Sequence, residues 1–449
     1  MAIASEATTA IRDQRPGLEL QRAIEEATRC LLCHDAPCSA ACPAGTDPAR
    51  FVRQIRFFNL KGAARTVLGN NPFAGVCARV CATERTCAAA CLRAGLDRAV
   101  DIAGLQRFAV EHGRRVGVQP HTTDATRRPR TARIAVIGAG PAGLSAAAEL
   151  AGLGYRATVF DAHSEPGGML RHGLPEHRLP GRVLADDLAA IIGLGVELEC
   201  SQSLAGGGAA ARLLDRGFAA VFVATGLGRA RTLAVPGSEL TGVTTALAFL
   251  ADARTDVERA RALVAGQNVA VVGGGSVAMD VACTSRRLGA NRVYAIALEA
   301  SDELPAAAAE LDLARHDRVI IKPQCMITRV LGDDGRVAGV EGVETEWIEP
   351  GRPVPSNARP LPDTHFRLQV GAVVIAIGQC TAESSLRCLD ADRRGDLLVV
   401  SERTMTTSVA RVFAGGDAVR GPATVVRAVA DGKRAAAAIH ELLTAEVQR

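Results

Sequence analysis

The sequence predicts an α/β protein preceded by an α-helical, cysteine-rich domain. Three observations carry this. Eight of the 13 cysteines lie within the first 91 residues. From residue 133 onward, apolar strand patterns alternate with helical ones to the end of the chain. A strand, glycine turn, helix and second strand occur twice in that stretch, at 133–162 and 268–300.

The bounds agree with a globular chain. Its 449 residues give room for roughly two to four domains. Apolar residues make up 48% and charged residues 22%, an ordinary globular composition. The net charge of +4 is dispersed and aromatics reach only 3%, so no nucleic-acid surface is expected. No apolar run approaches the ~18 residues of a membrane span. The opening MAIASEATTAIRDQ has no basic and apolar leader pattern and no twin arginines, so neither a membrane nor export is expected. The expected location is cytoplasmic, where clustered cysteines hold metal or do redox work more often than they form disulfides.

The cysteine run comes first. CLLCHDAPCSAACP spaces Cys30, Cys33, Cys38 and Cys42 as x2, x4 and x3, and Pro43 follows. Cys77, Cys81, Cys87 and Cys91 follow at x3, x5 and x3. A zinc site would normally offer two short pairs and histidines, and only His34 is near. Cys-x2-Cys followed by Cys-x3-Cys-Pro is closer to the ferredoxin run, in which the cysteine before proline serves a second cluster. Two iron–sulfur clusters fit this spacing best, while zinc and structural thiols stay open. The scattered Cys200, Cys283, Cys325, Cys380 and Cys388 read as small buried hydrophobes. No Cys-x-x-Cys follows Cys33, which argues against a redox thiol pair in the α/β part. Helical patterns (EEATRCLLC, DPARFVRQIRFFNLKGAARTVL, IAGLQRFAVEHGRR) separate the cysteine loops in this domain, residues 1–113. The basic, polar stretch 114–132 reads as a linker.

The first glycine unit, RIAVIGAGPAGLSAAAELAGLGYRATVFDA, has Gly138-x-Gly140-x-x-Gly143 between a strand and a helix. Gly138 allows the tight turn and Gly140 the close approach of a pyrophosphate. Gly143 lets the helix pack on the strand, and Asp161 can accept from ribose hydroxyls. Pro141 and Ala142 open the helix, whose N-terminus favours phosphate. The second unit, NVAVVGGGSVAMDVACTSRRLGANRVYAIALEA, carries Gly273, Gly274 and Gly275, then Ser276 and Val277 on the helix, with Ala278 at the third glycine position. Glu299 closes its second strand pattern. Two dinucleotides are expected, in two nested Rossmann-like domains.

Between and after these units lie FAAVFVATGLG, AVVIAIGQC and ARVFAGGDAV. The last, with Gly415, Gly416 and Asp417 ahead of a long helix, resembles the second flavin motif of the two-dinucleotide-binding-domain flavoproteins. That likeness implies FAD at the first unit, in a discontinuous domain of residues 133–240 and 366–449, and NAD(H) at the second, in residues 241–365. Candidate FAD residues beyond the turn are Gly168, Met169, Arg178, Ala224, Thr225, Gly226, Gly416, Asp417 and Thr424, and Gly378 joins the NAD set.

The order of CLLCHDAPCSAACP, NNPFAGVCARVC, CAAACLRAG, DIAGLQRFA and PGGMLRHGLPEHRLP is similar to the dihydropyrimidine dehydrogenase and glutamate synthase small-subunit family of iron–sulfur flavoproteins, over residues 20–445. The resemblance implies that Cys30, Cys33, Cys38 and Cys91 hold one [4Fe–4S] cluster. It implies that Cys42, Cys81, Cys87 and Gln106 hold a second, leaving Cys77 spare. Ala82, where relatives carry proline, is a departure that touches no ligand. Glutamate synthase small subunits look to carry Glu at the Gln106 position, so Gln106 favours the dihydropyrimidine dehydrogenase branch. Glu299 stands where relatives using NADPH place basic residues, and a carboxylate there favours NADH.

The implied role is that of an electron-input subunit, running NADH to FAD to clusters, with no catalytic acid or base named. The resemblance also implies a PreA-type partner holding FMN and iron–sulfur centres, where uracil or thymine is reduced. A glutamate-synthase-like chain serving another partner is the alternative reading. A non-catalytic redox sensor or scaffold is a third, against which two intact nucleotide motifs argue.

Overall fold

The computed structural model describes residues 17–119, 129–204, 207–382 and 389–447. Residues 120–128 of the expected linker, the opening segment 1–16 and Cys388 lie outside the described residues. Two compact units are present. One comprises the described parts of Gln14–Leu170, Arg178–Gly228 and Thr381–Arg449, and the other Arg171–His177 and Arg229–Cys380.

The first unit starts with a helical domain: α1 (Leu20–Thr28), α2 (Pro48–Arg56), α3 (Leu60–Leu68), α4 (Ala74–Val80) and α5 (Ile102–Arg115). Asp47 caps α2, accepting from the Arg50 amide at 3.0 Å, with Pro48 at the first helical position. The pattern over 47–68 reads as one helical run, yet the chain breaks it at 57–59. There Phe58 takes φ 59°, and Asn59 restarts the helix by accepting from the Gly62 amide at 3.0 Å. Phe51, Ile55, Val67 and Leu105 are fully buried between the helices, and Cys30, Cys38, Cys87 and Cys91 pack against the same core. Helix α4 had no periodic signal in the sequence. Five of its seven residues, Ala74–Ala78, are buried, so no polar face marks a period.

The same unit continues into a parallel sheet of β1 (Arg133–Ile137), β2 (Arg156–Phe160), β3 (Glu197–Glu199), β4 (Ala220–Val223) and the strand Val412–Ala414. Its order is Val412–Ala414, β4, β1, β2, β3. Helices α6 (Pro141–Gly152), α7 (Gly181–Ile192) and α8 (Val425–Val447) complete the elements used below. Gly432 of α8 lies so close to α6 that an added Cβ would meet the Ala142 carbonyl and stand 2.8 Å from the Ala146 amide.

The second unit is built on another five-stranded parallel sheet. Its order is Val243–Thr245, Ala372–Ile375, Asn268–Val272, Arg292–Ile296, Ile320–Lys322. An antiparallel ribbon of Cys325–Asp333 and Arg336–Trp347 extends it in sequence. The expected boundaries of 241–365 and 366–449 need correcting here. Ala372–Ile375 pairs with Val243–Thr245 and Asn268–Val272, so residues 229–240 and 366–380 belong with the second unit. AVVI is buried on both faces, as any central parallel strand is, and its sequence could not say which sheet it joins.

Candidate functional site

Burial raises the Cys38 thiol pKa, and Cys91 and Cys30 lie close enough to raise it further. Cys33 is half-buried on the same Cys30–Cys38 loop. Burial pushes Cys87 up to about 12, with Cys81 and Cys42 adding to the rise, and pushes Cys81 up to about 11, with Cys42 again a neighbour. The fold thus gathers Cys30, Cys38 and Cys91 in one place and Cys42, Cys81 and Cys87 in another. Thiols in such surroundings stay protonated until a metal displaces the proton. Among the described residues, no three His, Cys, Asp or Glu side chains converge as ligands of a single ion. A multi-iron cluster presents separate corners and takes thiolates that stand further apart.

Gln106 sits on α5, and its Nε2 donates to the Ala74 carbonyl at 3.0 Å, which leaves Oε1 as the end available to a metal. Cys77 is fully buried one turn before Cys81, with burial, then Cys81, raising its thiol well above the ordinary range. Cys42 and Asp187 also lie near it. Asp187 itself reaches in from α7 and accepts from the Val76 amide at 2.9 Å.

The first glycine turn forms a cradle. Gly138 takes φ 109°, and a Cβ there would strike the Ala224 carbonyl and come within 3.2 Å of the Thr225 amide. A Cβ on Gly143 would run into the Gly138 carbonyl, so the helix can sit this close only without one. Gly168, at φ 53°, faces Gly140, its added Cβ 2.9 Å from the Gly140 Cα, and Gly167 donates to the Ala139 carbonyl at 2.8 Å. Met169 opens the short helix that follows, and Arg178 is half-buried in the same unit. Gly226 takes φ 64° in the turn after β4. Asp161 closes the turn by accepting from the Ala139 amide at 2.6 Å and the His163 amide at 2.8 Å. It therefore holds the loop as well as facing it.

Gly416, Asp417 and Thr424 join from the far end of the unit. Gly416 approaches the start of α6, its added Cβ 2.9 Å from the Ala142 Cβ. Burial pushes the Asp417 carboxyl up to about 7, opposed by a hydrogen bond from the Ala423 amide and reinforced by the Asp431 charge. The Thr424 hydroxyl is buried with no hydrogen-bond partner at the start of α8. An orphaned hydroxyl beside a glycine cradle fits a cofactor that brings its own polar groups.

Asp431 was not foreseen. It is fully buried, accepts from the Gly416 amide at 3.1 Å, and pairs with Arg420 at 2.7 Å and Arg434 at 3.2 Å. A lone acid inside VVRAVADGKRAAAA was its only signal in the sequence.

In the second unit Gly273 takes φ 136°, and an added Cβ would strike the Ala376 carbonyl. Gly274 faces Glu299: its added Cβ would lie 3.1 Å from the Glu299 Oε2 and 2.9 Å from the Ala297 Cβ. Gly275 precedes the helix Ser276–Arg287, which carries Ser276 and Val277, and Ala278 is fully buried. Gly378, at φ 105°, follows Ala372–Ile375, the strand beside the glycine turn, and its carbonyl accepts from the Arg231 amide at 3.0 Å. The strand ends at Ile296, three residues before Glu299, so the carboxylate returns over the turn from a short loop.

Comparison with known proteins agrees with this layout. Residues 7–118 match the family described as dihydropyrimidine dehydrogenase domain II, 4Fe-4S cluster, and residues 132–432 match pyridine nucleotide-disulphide oxidoreductase. The PreT subunit of NAD-dependent dihydropyrimidine dehydrogenase from Escherichia coli K12 is 38% identical over 430 residues, covering 94% of each chain. A PreT homolog from Salmonella typhi is 36% identical over 437 residues, covering 95% of this chain and 96% of its own. The beta subunit of the NADP(+)-dependent formate dehydrogenase of Moorella thermoacetica is 36% identical over 91% of this chain and 60% of its own. Among solved structures, FprA of Mycobacterium tuberculosis in complex with NADPH superposes at TM-score 0.58 and 16% identity, over 72% of this chain and 86% of its own. Thioredoxin reductase of T. acidophilum does so at 0.53 and 18%, over 69% and 98%. These two share the fold of the α/β part. No helix among the described residues is long and apolar enough to cross a membrane. With a 4Fe–4S domain ahead of a flavin- and NAD-binding oxidoreductase domain, the chain belongs to the PreT family of NAD-dependent dihydropyrimidine dehydrogenase subunits.

Proposed function

We propose that this chain is the NADH-oxidising input subunit of a dihydropyrimidine dehydrogenase, carrying one FAD and two [4Fe–4S] clusters. Its partner would be a PreA-type subunit with FMN, where uracil or thymine becomes the 5,6-dihydropyrimidine. The observation that carries this reading is that both cysteine groups and the first glycine cradle belong to one compact unit. When bound, FAD would take hydride from NADH and release electrons singly to the clusters.

The chain's own residues do the holding. Cys30, Cys33, Cys38 and Cys91 would ligate one cluster, and Cys42, Cys81, Cys87 and Gln106 the other. Gly138, Gly140, Gly143 and the N-terminus of α6 would take the FAD pyrophosphate, and Asp161 its ribose. Gly273, Gly274 and Gly275 would serve NADH in the same way. Glu299, poised against Gly274, would accept from a free 2′-hydroxyl and repel a 2′-phosphate. No side chain is assigned as acid or base.

The test is division of labour. Alone, the chain should reduce an artificial acceptor with NADH and leave uracil untouched; with the FMN-containing partner it should form dihydrouracil. Uracil reduction by the chain alone would overturn the reading. One observation favours a second reading, an input subunit for a different enzyme: the formate dehydrogenase beta subunit matches this chain over 91% of its length. Failure of pyrimidine-reducing partners to accept electrons, with dye reduction intact, would select it.

A further inference from the structure

Lys433 of α8 extends out of the dinucleotide-binding part of the first unit and into the cysteine domain. Its Nζ donates to the Ala44 carbonyl at 3.0 Å and to the Asn70 carbonyl at 3.0 Å, partners 389 and 363 residues away in sequence. The side chain is 23% exposed and the nearest carboxylate, Glu149 of α6, stands at 3.8 Å. Both carbonyls belong to segments that carry candidate ligands. Ala44 follows Cys42 and Pro43, and Asn70 leads through Asn71 into α4, which Cys81 follows directly. The Thr46 hydroxyl donates to the Asn70 side chain at 2.9 Å, so the two segments are also tied to each other.

Nine residues before Lys433, Thr424 stands immediately ahead of α8, and its hydroxyl is the orphan of the glycine cradle. One helix therefore joins the candidate flavin site to the candidate ligand loop, and its contact with that loop is an ammonium group. A neutral donor would suffice for two backbone carbonyls. A cation placed there costs desolvation, and burial indeed lowers the Lys433 pKa, with Glu149 and then Cys42 opposing the fall. Cys42 is thus an electrostatic neighbour of Lys433.

Resting on the two-cluster reading above, we propose that Lys433 is a positioning and potential-setting residue for the cluster held by Cys42, Cys81 and Cys87. Its two hydrogen bonds fix the 42–46 loop against α8, and its charge favours the reduced cluster. Accepting one electron adds one negative charge and needs no proton from Lys433, because the ammonium is already charged. Its field stabilises that extra charge in a medium of low dielectric constant, where it acts more strongly than in water. The electron donor is the flavin in turnover, or dithionite in a titration.

The experiment compares wild-type holoprotein with Lys433→Met and Lys433→Arg by anaerobic dithionite titration followed by electron paramagnetic resonance. Lys433→Met should make one-electron reduction of one cluster about tenfold less favourable, a fall of about 59 mV in its midpoint. The other cluster and the flavin should keep their potentials, and Lys433→Arg should restore the midpoint. Equal midpoints in Lys433→Met and wild type, with iron and flavin content unchanged, would overturn the role of Lys433 alone. If Lys433→Met binds less iron, hydrogen exchange of residues 42–47 in the metal-free proteins decides: unchanged protection relative to wild type overturns the clamp, and faster exchange supports it. A wild-type protein lacking a second cluster signal would overturn the two-cluster reading and this inference together.

Discussion

Asp187 Oδ2 accepts a 2.9 Å hydrogen bond from the Val76 amide, 111 residues earlier in the chain. The carboxylate is 2% exposed and pairs with Arg114 of α5 as well. A single buried acid on α7 thus holds α4, which leads directly into Cys81, and α5, which carries Gln106. Removing it would leave the buried Val76 amide without its acceptor and Arg114 with Asp186 alone, which is costlier than the pair's net worth.

Asp187 makes stability depend on pH in a defined window. Burial pushes its carboxyl up to about 6, while Arg114 and the Val76 and Gly75 amides pull it down. The unfolded chain releases the same proton near pH ~3.9. Between roughly pH 4 and 6 the native state binds more protons, so this group's contribution to stability falls as pH rises. Asp187→Asn cannot titrate and should flatten that slope. Urea unfolding of both proteins from pH 4 to 7 checks it, and parallel curves would count against the assignment.

Gly432 sets the separation of α8 and α6. An added methyl would meet the Ala142 carbonyl and the Ala146 amide, both backbone and both unable to yield cheaply. Gly432→Ala should therefore cost about 1–3 kcal/mol by overpacking, despite the better helix propensity of alanine. Thermal unfolding of the FAD-free chain measures it, and an unchanged or raised midpoint would refute the close-packing argument.

Glu299 should set the choice of nucleotide. With its carboxylate beside Gly274, wild type should favour NADH over NADPH by at least about tenfold in kcat/KM, about 1.4 kcal/mol. Glu299→Arg should narrow or reverse the preference. A wild type that prefers NADPH would remove Glu299 from the ribose.

Cys42→Ser and Cys87→Ser separate hydride transfer from electron exit. Anaerobically purified wild type should carry about eight irons and eight acid-labile sulfides, with one FAD. A hydroxyl is a far poorer cluster ligand than a thiolate, so each variant should lose about half the iron and all partner-dependent uracil reduction. NADH reduction of the bound flavin should survive, followed by its bleaching. Full iron in both variants would break the ligand assignment.

The sequence alone determined the α/β class, the cysteine domain ahead of it and both glycine turns. Each of those rests on short-range chemistry: a strand period, a positive-φ glycine, cysteines a few residues apart. Gly138 and Gly273 adopt the left-handed or strained backbone their motifs require. The break at Phe58 was less visible, because the helical period continues through it and only the Asn59 cap records it. What the tertiary structure decided is which distant segments meet. Ala372–Ile375 could have served either sheet, since a strand buried on both faces carries no polar stripe to choose its neighbour. Asp187, Asp431 and Lys433 belong to no motif in the sequence. Asp187 and Lys433 each tie segments more than a hundred residues apart and Asp431 is fully buried against Gly416, because a charge leaves water only where folding brings hydrogen-bond partners to it.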